Sequence, residues 1–144
     1  MKTLNNTAMS IDSIKIPTHI SSLSIVEKHI DSLCQNLSVA ERCYGNVLIA
    51  VTEAVNNAII HGNKNDESKE VTLNYYTEKK SLVFQIKDEG NGFDYENLPD
   101  PTDPVNIEKL HGRGVFLMKN LADDVAFEEN GKSVTLSFHN FDND

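Results

Sequence analysis

A carboxylate and a carboxamide lie one helical turn apart in residues 51–58. Glu53 and Asn57 are four positions apart, so on a helix they stack on one side, away from the main apolar face. An asparagine carbonyl is a hard oxygen ligand for Mg²⁺, and a nearby carboxylate can orient or deprotonate an attacking hydroxyl group. Taken alone, the spacing favours a structural role, in which Glu53 pairs with a loop lysine and Asn57 caps a backbone group.

A second segment, Asp-Glu-Gly-Asn-Gly at residues 88–92, directly follows an apolar strand-like run. Asp88 can accept a hydrogen bond from an exocyclic amine such as that of adenine. Gly90 and Gly92 lack a Cβ atom, so a flat ring or a phosphate group can approach the backbone closely. These residues also form ordinary acidic turns, and for this segment alone the turn interpretation is favoured.

A third segment, His-Gly-Arg-Gly at residues 111–114, precedes a helix predicted from Gly114 to about Leu121. Free N–H groups and the positive dipole end at a helix start attract phosphate, and Arg113 adds a planar cation. A flexible loop before a helix would explain the segment as well. The order of the three segments, on a helix, at a strand end and at a helix start, favours a site for a nucleotide triphosphate with Mg²⁺.

Apolar periodicity predicts the helices that must position these groups. The first has apolar residues at alternating steps of three and four, and a second, longer helix runs to about His61, where Gly62 supplies a stop signal. Ser-x-x-Glu patterns at residues 24–27 and 38–41 predict capping boxes at the two helix starts. The apolar positions of the first helix are Leu23, Val26, Ile30, Leu33 and Leu37.

The predicted strands pair as hairpins. Residues 13–17 form an edge strand, 71–77 and 81–87 one hairpin, and 125–127 and 134–138 a second. Hairpins without strand-helix-strand alternation predict an α+β fold: a two-layer sandwich of a mixed, mostly antiparallel sheet with helices on one face. The chain has no G-x-x-x-x-G-K-[ST] loop, which excludes a P-loop site.

Length and composition indicate one globular domain. The chain has 144 residues, and we expect residues 1–10 to be disordered and residues 11–144 to form the domain. A net charge of −9 argues against direct nucleic-acid binding. No apolar run is long enough to cross a membrane, no signal peptide is evident, and the two cysteines form no disulfide framework. We therefore expect a cytoplasmic protein.

With these segments in this order, the sequence resembles the Bergerat-fold (GHKL) ATPases, and more narrowly the bacterial anti-sigma factors that are serine/threonine protein kinases. Residues 51–61 resemble the N box of that family, residues 88–93 its first glycine box and residues 112–118 its second. The resemblance covers residues 10–140. It implies that residues 11–144 are an ATP-binding kinase domain.

The resemblance also implies roles for individual residues. Glu53 would be the general base and Asn57 the Mg²⁺ ligand, and the proline-bearing residues 95–110 would form a lid over ATP. The remaining ATP contacts that it implies are Asp88 as the adenine reader, Gly90 and Gly92 beside the ring and ribose, and Gly112, Arg113 and Gly114 as the phosphate loop. The chain departs from the family pattern after Gly131, where Lys132 and Ser133 stand in place of a threonine common in the family.

Two functions remain open at this point. The first is an ATP-dependent kinase that sequesters a sigma factor and phosphorylates a serine of an anti-sigma-factor antagonist, an assembly compatible with a homodimer. The second is a nucleotide-gated protein-binding module with negligible kinase activity. Both need the same nucleotide pocket, so phosphoryl transfer must be measured to separate them.

Overall fold

The computed structural model of the chain describes residues 8–91 and 110–142. The lid prediction for residues 95–110 therefore lies outside the described residues, apart from Leu110, and so does Gly92. In chain order the helices and strands are β1 Ala8–Pro17, α1 Ser22–Asn36, α2 Glu41–Asn57, β2 Glu70–Glu78, β3 Ser81–Lys87, α3 Leu110–Leu121, β4 Asp124–Glu128 and β5 Ser133–His139.

The five strands form one sheet in the order β1-β2-β3-β5-β4. Both predicted hairpins, β2 with β3 and β4 with β5, are confirmed, and β1 is an edge strand as expected. Every pairing among the described strands is antiparallel, so the sheet there is wholly antiparallel rather than mixed. The α+β fold class is confirmed.

The core lies between one face of the sheet and the helices. Alternate residues of β3, namely Leu82, Phe84 and Ile86, are buried in the same apolar cluster as residues of α1, α2 and α3. On α2 the cluster takes Val47 and Val51 together with neighbouring apolar residues, which is why this helix lies against the sheet. No helix in the described ranges is long and apolar enough to cross a membrane.

The capping boxes predicted at the two helix starts are wrong. Helix α1 begins at Ser22, and the Ser24 hydroxyl donates to the Ser21 carbonyl oxygen (2.9 Å) instead of capping the helix. Helix α2 begins after Ala40, whose N–H donates to the carbonyl oxygen of Phe141 (2.7 Å). A contact with the distant C-terminal segment therefore replaces the local cap, and no sequence pattern near residue 40 reveals it.

Three other boundaries also differ from the predictions. Strand β1 begins at Ala8, ahead of the predicted strand start at residue 13. The α-helical part of α2 ends at Asn57, and a π-helical turn, Ala58–Gly62, continues it. Helix α3 begins at Leu110 rather than at Gly114.

Candidate functional site

A pocket lies between α2, α3 and the ends of β3 and β5. The predicted residues Asn57 and Asp88 both line it, although one lies on a helix and the other follows a strand. Several other residues of the pocket are not among the site residues that the sequence predicts. These include Ala54, His61, Gly62, Met118, Phe127 and Lys132.

Asp88 is held at the end of β3 by its backbone and by its side chain. Its N–H donates to the Lys132 carbonyl oxygen (2.9 Å), and its Oδ1 accepts from the N–H of Gly90 (2.8 Å). Burial raises the pKa of Asp88, an effect that the Gly90 bond and the charges of Lys132 and Lys69 partly offset. The result is a half-buried carboxylate that still has lone pairs available at the pocket wall, as recognition of an amine requires.

Gly62 and Gly90 are glycines because the backbone packs tightly around Asp88. A Cβ atom on Gly62 would lie 2.3 Å from Asp88 Oδ2, and one on Gly90 would lie 1.8 Å from the Gly62 carbonyl oxygen. The sequence predicts Gly62 as a helix stop, and Gly90 either as a turn residue or as a close neighbour of a ring or phosphate group. The structure gives both a different reason, which is contact with another segment of this chain.

Glu53 and Asn57 lie on one side of α2, as predicted, and α3 packs against that side. A Cβ atom on the buried Gly114 would lie 3.0 Å from Asn57 Nδ2 and 3.3 Å from Glu53 Oε1. The glycine therefore leaves space beside both side chains. Asn57 Nδ2 is buried and has no hydrogen-bond partner within the described part of the chain, which agrees with a polar group that binds a ligand rather than one that caps the backbone.

The glycine segment before α3 is part of the helix in the structure. Gly112, Arg113 and Gly114 lie in the first turns of α3, and Arg113 is exposed there. Glycine weakens a helix, so the sequence favoured a later start, but the packing of Gly114 against Asn57 outweighs that preference. The first turn of a helix has N–H groups without a partner within the helix, and Gly112 lies in that turn, so phosphate binding by this segment stays a prediction.

His61 and Lys132 bring further polar groups to the pocket. Burial lowers the pKa of His61, which favours its neutral imidazole. Lys132 occupies the position where the sequence departs from the family pattern, and its charge acts on Asp88. The position of His61, four residues after Asn57 on the same helix, was the available signal for its place in the pocket.

The described residues contain no group of three or more His, Cys, Asp or Glu side chains that could hold a metal ion. A Mg²⁺ ion at this site would therefore need oxygen ligands from a bound triphosphate in addition to Asn57 Oδ1. That donor set is typical of Mg²⁺, which usually keeps few protein ligands and binds with phosphates.

The chain is similar in sequence to a family of ATPase domains and to known protein kinases. The sequence model of the histidine kinase-like ATPase domain matches residues 16–138. The serine-protein kinase RsbW of Listeria innocua is 24% identical over 132 residues, which are 87% of this chain and 84% of the relative. The serine-protein kinase RsbW of Bacillus subtilis is 25% identical over 130 residues, 86% of this chain and 81% of the relative.

A solved structure supports the fold. The crystal structure of the RsbU and RsbW domains of a Mycobacterium tuberculosis protein matches 91% of this chain with a TM-score of 0.66. At 12% identity the similarity concerns the fold alone, and the chain spans 32% of that longer protein.

Proposed function

The chain belongs to the histidine kinase-like ATPase domain family, and from this premise we propose that it is an ATP-dependent serine/threonine protein kinase. Its similarity to serine-protein kinases named RsbW extends over most of both chains. In this proposal the protein is an anti-sigma regulatory factor. Its partners are a sigma factor and an anti-sigma-factor antagonist, and it phosphorylates a serine of the antagonist. A homodimer and a cytoplasmic location stay predictions from the sequence.

One observation carries the proposal: a single cleft contains groups suited to both ends of ATP. Asp88 and Asn57 line the same pocket. Gly114, at the start of α3, lies against Asn57 and Glu53. A nucleotide with its base at Asp88 would direct its phosphates toward Asn57 and the first turn of α3. Glu53 would then lie beside the phosphates, where an acceptor hydroxyl group must arrive.

In the proposed reaction the serine oxygen forms a bond to the γ-phosphorus atom as the bond from that atom to the β–γ bridging oxygen breaks. ADP leaves with the bridging oxygen, and the serine hydroxyl proton passes to the Glu53 carboxylate. Asn57 Oδ1 would hold Mg²⁺, whose charge offsets that of the phosphate oxygens. Amide groups in the first turn of α3 and the Arg113 cation contact the phosphates, and positioning of this kind supplies most of the catalysis in phosphoryl transfer.

Asp88 selects the nucleotide in this scheme. Its carboxylate accepts a hydrogen bond from the 6-amino group of adenine, whereas the 6-keto oxygen of guanine would face it with no proton to share. A polar group left unpaired at a binding site discriminates strongly against the wrong ligand. We therefore expect ATP to bind more tightly than GTP in the presence of Mg²⁺.

The proposal is tested with purified protein, γ-labelled ATP, Mg²⁺ and proteins that the tagged chain captures from extract of its native cell. The expected result is label on a serine of one captured protein, located by mass spectrometry, and no label when Mg²⁺ is removed. Capture that depends on ATP without any label on the partner would overturn the kinase assignment. That outcome would establish the nucleotide-gated binding module instead.

A further inference from the structure

Asn63, the first residue after the π-helical turn, is a buried asparagine whose side chain uses all of its main hydrogen-bonding groups. It is 1% exposed. Its Nδ2 donates to Thr18 Oγ1 (2.8 Å) and to the Glu70 carbonyl oxygen (3.1 Å), while its Oδ1 accepts from the N–H of Glu89 (2.7 Å). A fully satisfied buried amide has one preferred orientation, because any rotation would leave polar atoms unpaired.

The partners of Asn63 are themselves held in place. Thr18 is fully buried and donates its hydroxyl hydrogen to the Lys69 carbonyl oxygen (2.7 Å). The Glu89 carboxylate accepts from the N–H of Glu70 (2.7 Å). The network therefore joins the segment after β1, the start of β2 and the loop after β3 at one buried point.

The bond from Glu89 to Asn63 has a direct consequence for its neighbour Asp88. The N–H of Asp88 belongs to the peptide plane before that residue and donates to the Lys132 carbonyl oxygen (2.9 Å). The N–H of Glu89 belongs to the plane after it and donates to Asn63. Because peptide units are planar, fixing both planes fixes φ and ψ of Asp88 and hence the direction of its Cα–Cβ bond.

We propose that Asn63 is a positioning residue for base recognition, which acts through the Glu89 N–H to aim the Asp88 carboxylate at the adenine amino group. The inference rests on the proposed function, since it assumes that Asp88 recognises the base. The inference adds to base recognition a residue that would make no contact with the nucleotide itself. Asn63 does not line the pocket. Gly62, which precedes Asn63, and Asp88, which precedes its partner Glu89, both line it.

The test compares two substitutions that keep different parts of the amide. Asn63→Leu has nearly the same size but removes the acceptor for Glu89. Asn63→Asp keeps an oxygen for the Glu89 N–H and loses only the donor bonds to Thr18 and Glu70. Asn74→Ala is the control, because Asn74 is a partly buried asparagine whose Nδ2 donates within the sheet, to Gln85 Oε1 of β3 (3.2 Å).

The decisive measurement is the ratio of the dissociation constants for GTP and ATP, each determined by calorimetry with Mg²⁺. A variant that is merely less stable has a smaller folded fraction, which weakens both affinities by the same factor and leaves the ratio unchanged. A misdirected Asp88 changes the ratio itself. Thermal unfolding of each variant without nucleotide records the stability effect separately.

We expect Asn63→Leu to reduce the preference for ATP about tenfold, as displacements near 1 Å commonly cost that much or more. Asn63→Asp should lose stability but keep most of the preference, and Asn74→Ala should keep the parent ratio. An unchanged ratio in folded Asn63→Leu would overturn the inference. If Asn63→Leu does not fold, Asn63→Ser replaces it with the same expectation, because its short hydroxyl cannot reach Glu89 and water can satisfy the other partners.

A failure of the proposed function gives a different result. If the parent protein binds ATP and GTP equally, or binds neither, then the role of Asp88 is wrong before Asn63 is altered. A parent that prefers ATP, with a variant that keeps the full preference, rejects the role of Asn63 alone.

Discussion

The two ends of the pocket are built from different parts of the chain. At the Asp88 end, backbone hydrogen bonds and contacts between glycines hold the site, with a Cβ atom on Gly90 excluded by the Gly62 carbonyl oxygen. At the Glu53 end, the functional groups are side chains on one helix, and Asn57 Nδ2 is buried without a hydrogen-bond partner in the described residues.

Because of this difference, we expect substitutions at the two ends of the pocket to affect stability and function differently. The Asp88 end is part of the folded framework, so we expect substitutions that displace its backbone to weaken folding and binding together. The Glu53 end keeps polar groups that contribute little to folding, because an unpaired buried amide costs free energy. Substitutions there should impair chemistry or metal binding while leaving stability unchanged or improved, as is common at active sites.

Glu53→Gln should have the largest effect and should show the separation most clearly. The change keeps the size of the side chain but removes the proposed base, so phosphoryl transfer should fall by about 10²-fold or more. ATP binding and the thermal unfolding temperature should remain close to the parent values. Transfer of label from ATP to the acceptor serine measures the first effect, and calorimetry measures the other two.

Glu41→Gln is the matched control for that prediction, because Glu41 is an exposed residue of the same helix, roughly three turns away. It should transfer phosphate as the parent does. Parent-like transfer by Glu53→Gln would remove Glu53 from the mechanism, and a large loss of stability would show that the two ends are not built differently.

Gly90→Ala tests the opposite end. The added methyl group would lie 1.8 Å from the Gly62 carbonyl oxygen, so the Asp88 loop must move. We expect a loss of about 2–3 kcal/mol in the free energy of unfolding, in the range for overpacked sites, together with weaker ATP binding. Chemical denaturation and calorimetry measure the two effects.

Gly45→Ala provides the contrast, because nothing lies within 4 Å of a Cβ atom at this exposed position in α2. It should stabilise the protein by up to about 1 kcal/mol, since alanine is the better helix former. If Gly90→Ala were as stable as the parent, the close packing of the two glycines would not hold in solution.

Asn57→Ala should weaken Mg²⁺-dependent ATP binding about tenfold or more, because it removes the proposed metal ligand. Its thermal stability should equal or exceed that of the parent, since the substitution deletes a buried amide group that lacks a partner. Titration of ATP with and without Mg²⁺ gives the metal-dependent part. Asn56→Ala, at the preceding position of the helix, should bind Mg²⁺ and ATP as the parent does. Equal losses of binding in both variants would make Asn57 a structural residue.

Asp88→Asn should produce the smallest change in stability, a gain of at most about 1 kcal/mol without nucleotide, because water still screens a half-buried carboxylate. Burial raises the pKa of Asp88 in the folded state. The stability contributed by this group is therefore present below the unfolded pKa near 4 and is lost as the pH rises through the folded value. The gain should appear at neutral pH and disappear toward pH 4.

Asp66→Asn should show the opposite dependence on pH. Hydrogen bonds from Ser68 lower the pKa of Asp66, so its contribution is present above the unfolded pKa and is lost as the pH falls through the folded value. This variant should be less stable than the parent at neutral pH. Thermal unfolding from about pH 2 to pH 8 compares the two variants, because the contribution of Asp66 is lost only below about pH 4. Curves of the same sign would contradict the role of burial at Asp88.

Much of the fold could be predicted because its signals are local. The hairpin of β2 and β3 follows from two short apolar runs around a turn, and the stacking of Glu53 and Asn57 follows from helical geometry alone. The three chemical segments were found for the same reason. Each is a short pattern of residue types that needs no knowledge of distant contacts.

The rest of the site depends on contacts between distant residues. Asn63 follows Gly62 in what looked like an ordinary loop, yet its partners include Thr18 and Glu89, 45 and 26 positions away. Gly62 was interpreted as a helix stop, although the Asp88 carboxylate is what excludes a side chain there. Neither requirement leaves a periodic pattern in the sequence, because each is set by another segment that passes close by.

The π-helical turn limits how the length of this chain can change. The N–H of Asn63 donates to the carbonyl oxygen of Ala58 (2.8 Å), a step of five residues where an α-helix uses a step of four, so this turn contains one extra residue. Deleting one residue from this turn would rotate everything after it by about 100°. Chimeras or natural variants that exchange the segment after α2 should therefore keep the number of residues in this turn, and Gly62 at its end should remain glycine.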